Sequence, residues 1–189
     1  MKNEAKVFNP LDFGLSNDDV FQESLVQAVI VASGGEVLGR IKFQKLVYLL
    51  DKLGLSSGFK FSYHHYGPYS AELSSAADIA KAFGLIDEDF RQRKSDGARY
   101  SVFSKKNSSK LEPKVEFFND ESITSAIDLI NTTSSTIVEL AATAYWLKYE
   151  ESIEDWSSEI VRRKGTKVGE GRLEKAVRLL EELNLPLDS

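Results

Sequence analysis

The chain has 189 residues, no cysteine and a formal net charge of −5, with 42% apolar and 11% aromatic residues. That is ample material for a core and too apolar for a disordered chain, while the lack of cysteine excludes disulfide staples, thiol nucleophiles and cysteine-ligated zinc and fits a reducing cytoplasm. No apolar run approaches the roughly 18 residues that crossing a bilayer needs, and no apolar stretch follows the mixed-charge start of the chain, so the sequence predicts a cytoplasmic protein with no secretory signal and no membrane partner.

Residues 1–15 read as an irregular arm broken by Pro10 and Gly14. Ser16-Asn-Asp-Asp19 then has the form of a capping box, and Val20, Leu25, Val26, Val29 and Ile30 predict a helix to about Ser33, ended by Gly34-Gly35. A second helix is expected over about Lys42–Leu53, because Phe43, Leu46, Val47, Leu50 and Leu53 form a helical stripe and Gly54 follows. Phe59, Phe61 and Tyr63 alternate with Lys60 and Ser62, as in a short strand, and Pro68 is expected to stop that segment in a Gly67-Pro68 turn. Ser70 can cap a third helix, about Ala71–Phe83. Two antiparallel strands follow, about Leu85–Arg93 and Arg99–Ser104, joined at Ser95-Asp96-Gly97.

Residues 105–118 read as a Lys/Ser/Pro linker. Helices are then expected over about Asp120–Asn131, Ser135–Tyr149, Ile153–Lys164 and Glu170–Leu183, the third starting at a Ser152-x-x-Asp155 box. The fold class is therefore mainly α in a single domain over 1–189. It comprises the 1–15 arm, a winged-helix-like helix-turn-helix core with its two-stranded hairpin (16–104), the 105–118 linker and a C-terminal helical bundle (119–185).

The order helix, helix, helix, hairpin is that of a winged helix-turn-helix, with Ala71–Phe83 in the recognition position. That helix has one lysine, no Arg, Asn or Gln, and Glu72 near its start, where a phosphate would be repelled. Cations gather instead after it: residues 91–114 carry eight Lys/Arg against Asp96 and Glu112, so this window is +6 and the rest of the chain −11. Arg91, Arg93, Lys94 and Arg99 are the candidate phosphate contacts of such a wing.

The run Gly39-Arg-Ile-Lys-Phe-Gln-Lys-Leu-Val-Tyr-Leu-Leu-Asp-Lys-Leu-Gly54, with Tyr63-His-His-Tyr66-Gly-Pro-Tyr-Ser70 and Gly84-Leu85-Ile86, resembles the YwgA-like proteins and the related SocA-like, or Panacea, antitoxin domain. Leu140-Ala141-Ala142-Thr143 and Lys164-Gly165 extend the likeness into the tail, so that it covers most of residues 36–183. The resemblance implies a mostly helical fold and a place in bacterial or archaeal defence and toxin–antitoxin settings. It brings no catalytic residues and no cofactor. The expected function is a protein-binding regulatory module, an antitoxin or phage-defence accessory that docks onto a partner protein such as a toxin. A nucleic-acid-binding regulator using the basic hairpin is the alternative, and homo-oligomerisation stays open.

Lys42, Gln44, Lys45 and Tyr48 lie on the second helix, where Gln44, Tyr48 and Asp51 form a polar strip at helical spacing. A solvated face is the simple reading; a polar cluster tying the helix to the Tyr66–Ser70 turn, or a partner contact, is the sharper one. In Tyr66-Gly67-Pro68-Tyr69-Ser70 the glycine and proline suit a turn and the serine a cap, while the tyrosines could offer recognition surface. His64 and His65 are adjacent and expected to point to opposite faces, which argues against one shared metal. His65 could act as a base, but no nucleophile is paired with it in the sequence, so no enzyme activity and no metal are expected. Trp146 is expected in the core and Trp156 as a half-exposed anchor; Arg162-Arg163-Lys164 with Lys167 forms a second basic spot.

Overall fold

The computed structural model describes residues 17–94, 97–106 and 115–187, with side chains from residue 22 on. Helix α1 (Asn17–Ala32) leads through Gly34 and Gly35, at φ 74° and 90°, into strand β1 (Glu36–Leu38) and then helix α2 (Arg40–Lys52). A hairpin of β2 (Ser62–His64) and β3 (Gly67–Tyr69) separates α2 from α3 (Ala71–Ala82), and a longer one follows, β4 (Ile86–Gln92) and β5 (Arg99–Lys105). The tail holds a 3-10 turn (Glu116–Asn119), α4 (Glu121–Thr132), α5 (Ser135–Tyr145) running into a π turn (Trp146–Glu150), α6 (Trp156–Lys164), another 3-10 turn (Gly165–Val168) and α7 (Arg172–Glu182). The expected 1–15 arm, Ser16 and the side chains of the rest of its capping box, the Ser95-Asp96 turn residues and most of the 105–118 linker lie outside what is described.

The fold is mainly helical with two small antiparallel sheets. Its centre is α2, in which every residue from Lys42 to Leu50 is buried. One side of α2 meets α5 and β3, while α1 packs on α3 and α5 packs on α6 and α7. Leu46, Val47, Leu49 and Leu50 are fully buried, and each such side chain is worth about 1.5–3 kcal/mol of transfer from water. Among the described residues no helix is long and apolar enough to cross a membrane.

Four expectations are corrected. First, the hairpin expected to stand as two strands is part of a three-stranded sheet in the order β1-β5-β4, because Glu36–Leu38 is a strand whose Val37 faces Phe103 of β5. Three residues are too few to show alternation, and the strand exists because β5 offers its free edge. Second, Gly67-Pro68 is not the turn. His65 and Tyr66 are, and Pro68 lies in β3 opposite Tyr63, between the pairs His64/Gly67 and Ser62/Tyr69, where its missing N–H costs no ladder bond.

Third, the helix expected from Ile153 begins at Trp156. Asp155 caps it by accepting from the Ser158 N–H at 3.1 Å, whereas Ser152 sits at φ 54° and the Ile153 N–H closes the preceding turn on the Leu147 carbonyl. Fourth, the polar strip of α2 is not a solvated face, because Gln44 and Tyr48 are 5% and 1% exposed.

Candidate functional site

A buried helix that carries two lysines and a glutamine needs a partner for each of their polar groups. Lys42 Nζ donates to the Asn131 carbonyl and Lys45 Nζ to the Pro68 carbonyl, each at 2.5 Å. Gln44 binds the Ser70 backbone through both ends of its amide. Ser70 Oγ in turn accepts from the Leu73 N–H and caps α3. Asp51 accepts from the Ser57 N–H and hydroxyl at 2.7 and 2.6 Å. Tyr48 packs its ring against Phe61, Trp146 and Tyr145, and burial raises the pKa of its phenol.

The β2–β3 hairpin is thereby pinned on α2, and its far side is held by the tail. Lys164 Nζ donates to the His65 carbonyl and to Glu139 Oε1, both at 2.9 Å, and Lys167 Nζ reaches the same carboxylate at 3.0 Å. Glu139 is 4% exposed, and its carboxylate balances the buried ammonium of Lys164. Burial lowers the Lys164 ammonium against the opposing pull of Glu139, and burial pushes Lys45 down to about 8. Arg163 stacks over Tyr63 while forking onto Glu151 and Glu159. The 162–164 spot is thus largely an internal brace, and Arg162 alone of the three is widely exposed.

Two neighbouring hollows result, sharing Arg40, Ile41 and Tyr66 in their linings. A pocket of about 320 Å³ is lined by Arg40, Gln44, Lys45, His64, His65, Tyr66 and Tyr69, residues the motifs had singled out apart from Arg40. His64 packs tilted against Tyr69 and His65 meets Tyr66 edge-on, each at 4.8 Å between centroids. Tyr66, 44% exposed with Lys167 Nζ 4.8 Å from its ring centre, separates this pocket from a groove of about 870 Å³.

The groove runs between the inner face of the β4–β5 hairpin (Phe90, Arg99, Ser101) and the starts of α2 and α5. Arg40, Lys42, Arg93, Lys167 and Glu139 also line it. The carboxylate of Glu88 takes two bonds from Arg40, which hold it well below the usual range, at about 2. Arg99 lies over the Phe90 ring, at 5.2 Å from its centre.

Of the four candidate phosphate contacts, Arg93 and Arg99 line the groove. Arg91 points to the other sheet face, where it forks onto Glu36 at 2.6 and 2.8 Å, and Lys94 does not line the groove. Arg40, Phe90 and Glu139 were missed in the sequence. Glu139 carried a readable signal, a carboxylate inside the apolar run of Ile137–Ala142; Arg40 and Phe90 carried none. Both tryptophans are partly buried and packed on the core. Among the described residues no three His, Asp or Glu side chains are grouped to hold a metal.

No family model matches the chain. It is similar to YwgA of Bacillus subtilis, a protein of uncharacterised function, at 25% identity over 154 residues, which cover 82% of this chain and 92% of that protein. It is also similar to a DNA ADP-ribosyl glycohydrolase of Thermus aquaticus, at 31% identity over 130 residues, 66% of this chain but only 34% of that protein. The relationship is thus YwgA-like, and the chain spans about a third of the length of the second relative.

Proposed function

We propose that this protein is a protein-binding regulatory module, with the groove between the β4–β5 hairpin and Tyr66 as its docking surface. One observation carries the reading. Among the described residues the large apolar side chains most exposed to water are Leu38, Tyr66, Phe90, Tyr149 and Val161, and the first three line this single groove. Exposed apolar surface concentrated in a concavity with a polar rim is what a partner covers.

A binding role is further supported by the chemistry of the motif residues. Each histidine ring packs against a tyrosine ring, and the hydroxyl of Ser70 is engaged as a helix cap. The match to about a third of a DNA ADP-ribosyl glycohydrolase is consistent with a unit that serves as an accessory to a larger machine. Within the antitoxin and phage-defence settings implied by the YwgA and Panacea resemblance, the partner is a toxin or another defence component.

The test is site-specific crosslinking in the native cell, with a photoreactive residue in place of Phe90. A stoichiometric protein adduct is expected. If position 90 yields no adduct while a neighbouring toxin acts unrestrained, the docking reading falls.

A second reading has its own support. Strand β1 completes the β4–β5 hairpin after α1, and α2 and α3 lie between, the connectivity of a winged helix; Arg93 and Arg99 sit on that hairpin. Against it stand Glu72 in the first turn of α3 and Asp78, which holds Arg40. A nucleic-acid complex would weaken steeply with salt and on neutralising Arg93 and Arg99.

A further inference from the structure

Building on the docking reading above, we propose that the groove takes an extended acidic segment of the partner protein, its carboxylates meeting the Arg99 side and an apolar residue seated between Leu38 and Phe90. Charge complementarity is the first argument. On a chain of net charge −5, the groove lining brings together Arg40, Lys42, Arg93, Arg99 and Lys167 with one acid, Glu139. Some of this charge is already balanced, since Arg40 is held by Glu88 and Asp78 and Lys167 by Glu139. Arg99 meets the Phe90 ring and Lys42 a backbone carbonyl, so neither of these two cations is neutralised by those contacts.

The backbone adds to the same sign. Gly39 to Lys42 at the start of α2 and Ser135 and Thr136 at the start of α5 line the groove, and neither helix has an acidic residue in its first turn. The positive dipole ends of both helices thus lie at the groove lining, which favours an anion there.

A peptide fits better than a nucleic-acid strand. The groove wall alternates cations with Leu38, Ile41 and Phe90, and the carboxylates of Glu139 and Glu88 stand at or just behind its lining. A phosphodiester strand places a charge at every nucleotide and would meet those carboxylates and apolar patches. A peptide can space its acids to reach Arg99 and fill the gap over Phe90 with an apolar side chain.

The experiment is selection of displayed random twelve-residue peptides on the intact protein, with binding of oligo(dT) as a parallel arm. Enriched sequences are expected to be acidic with interspersed apolar residues, and the best of them to bind about tenfold more weakly to Arg99→Glu and to Phe90→Ala. Arg162→Gln, at an exposed position outside the groove, should leave binding as it is. Enrichment of neutral or basic peptides, no enrichment, or retention by Arg99→Glu overturns the proposal. Tight salt-sensitive oligo(dT) binding lost in Arg99→Glu overturns it in favour of nucleic acid. A protein adduct at position 90 whose contact segment is not acidic removes this inference and leaves the docking reading standing; absence of any adduct while a neighbouring toxin acts unrestrained removes both.

Discussion

Gln44 and Ser70 exchange two hydrogen bonds: the Gln44 side-chain nitrogen donates to the Ser70 carbonyl at 2.9 Å, and its oxygen accepts from the Ser70 N–H at 2.8 Å. This pair joins the buried helix α2 to the residue that caps α3. Gln44→Leu keeps the volume but leaves a buried donor and a buried acceptor unpaired, at about 1–3 kcal/mol each. The expected loss is therefore about 2–6 kcal/mol, read from urea unfolding. Gln44→Glu should also destabilise, because a carboxylate cannot donate to the Ser70 carbonyl. An unfolding midpoint unchanged in both variants would show that the pair does not hold the unit together.

Burial of Lys45 makes an alkaline prediction. Its folded value is near 8 against an ordinary 10.5, so the folded state binds fewer protons than the unfolded one between those limits. Stability is thus lowered by the buried charge below about pH 8 and recovers as pH rises toward 10.5. The gain from Lys45 between about pH 7 and about pH 9.5 is on the order of 2 kcal/mol. Lys42 and Lys164, also lowered by burial, push in the same direction. Lys45→Met should reduce the rise in unfolding midpoint over that range, and an equal rise in wild type and variant would refute this account.

Gly67 stands at φ 83°, and a Cβ there would run into Thr143 Oγ1, with Lys45 Cε at 3.8 Å. Gly67→Ala therefore suffers overlap and left-handed strain together, and the β2–β3 hairpin should lose its seat on α5. Adding Thr143→Ala removes the overlap but not the φ cost of about 1–2 kcal/mol. The double variant should melt between wild type and Gly67→Ala. If the second change gives no recovery, the close approach is not what requires glycine.

Glu88 governs the acid limb. Hydrogen bonds from Arg40 hold its pKa at about 2, below the ordinary 4.5. A depressed carboxylate contributes stability that is present above 4.5 and is lost as pH falls toward 2. Glu88→Gln should lower stability at neutral pH and flatten the loss between about pH 4.5 and pH 2. Near-UV circular dichroism followed through an acid titration reads both effects, and a profile of unchanged slope would rule out this carboxylate as the source.

Much of the secondary structure was legible because its causes are local. The stripe of Phe43, Leu46, Val47 and Leu50 specifies α2 through helical periodicity, and Ser70 specifies the start of α3 through a bond three residues away. The β4–β5 hairpin was likewise readable from the Ser95-Asp96-Gly97 turn signal between its two runs. Strand β1 was not, because its three residues are ordered by β5, more than sixty positions later.

The sequence by itself determined the helical character, the order of the helices and the motif residues around Tyr66. Only the tertiary structure decided what those residues face. Lys42, Gln44 and Lys45 look like surface residues in any local window, yet they are buried, because Asn131, Ser70 and Pro68 supply backbone partners from remote segments. Arg99 on the hairpin and Lys167 in the tail come to line one groove through packing of α2 on α5, a contact that no periodicity encodes. Periodicity reports which face of an element is apolar. The acceptors and charges that meet its polar groups come from elsewhere in the chain, and burial is decided where they meet.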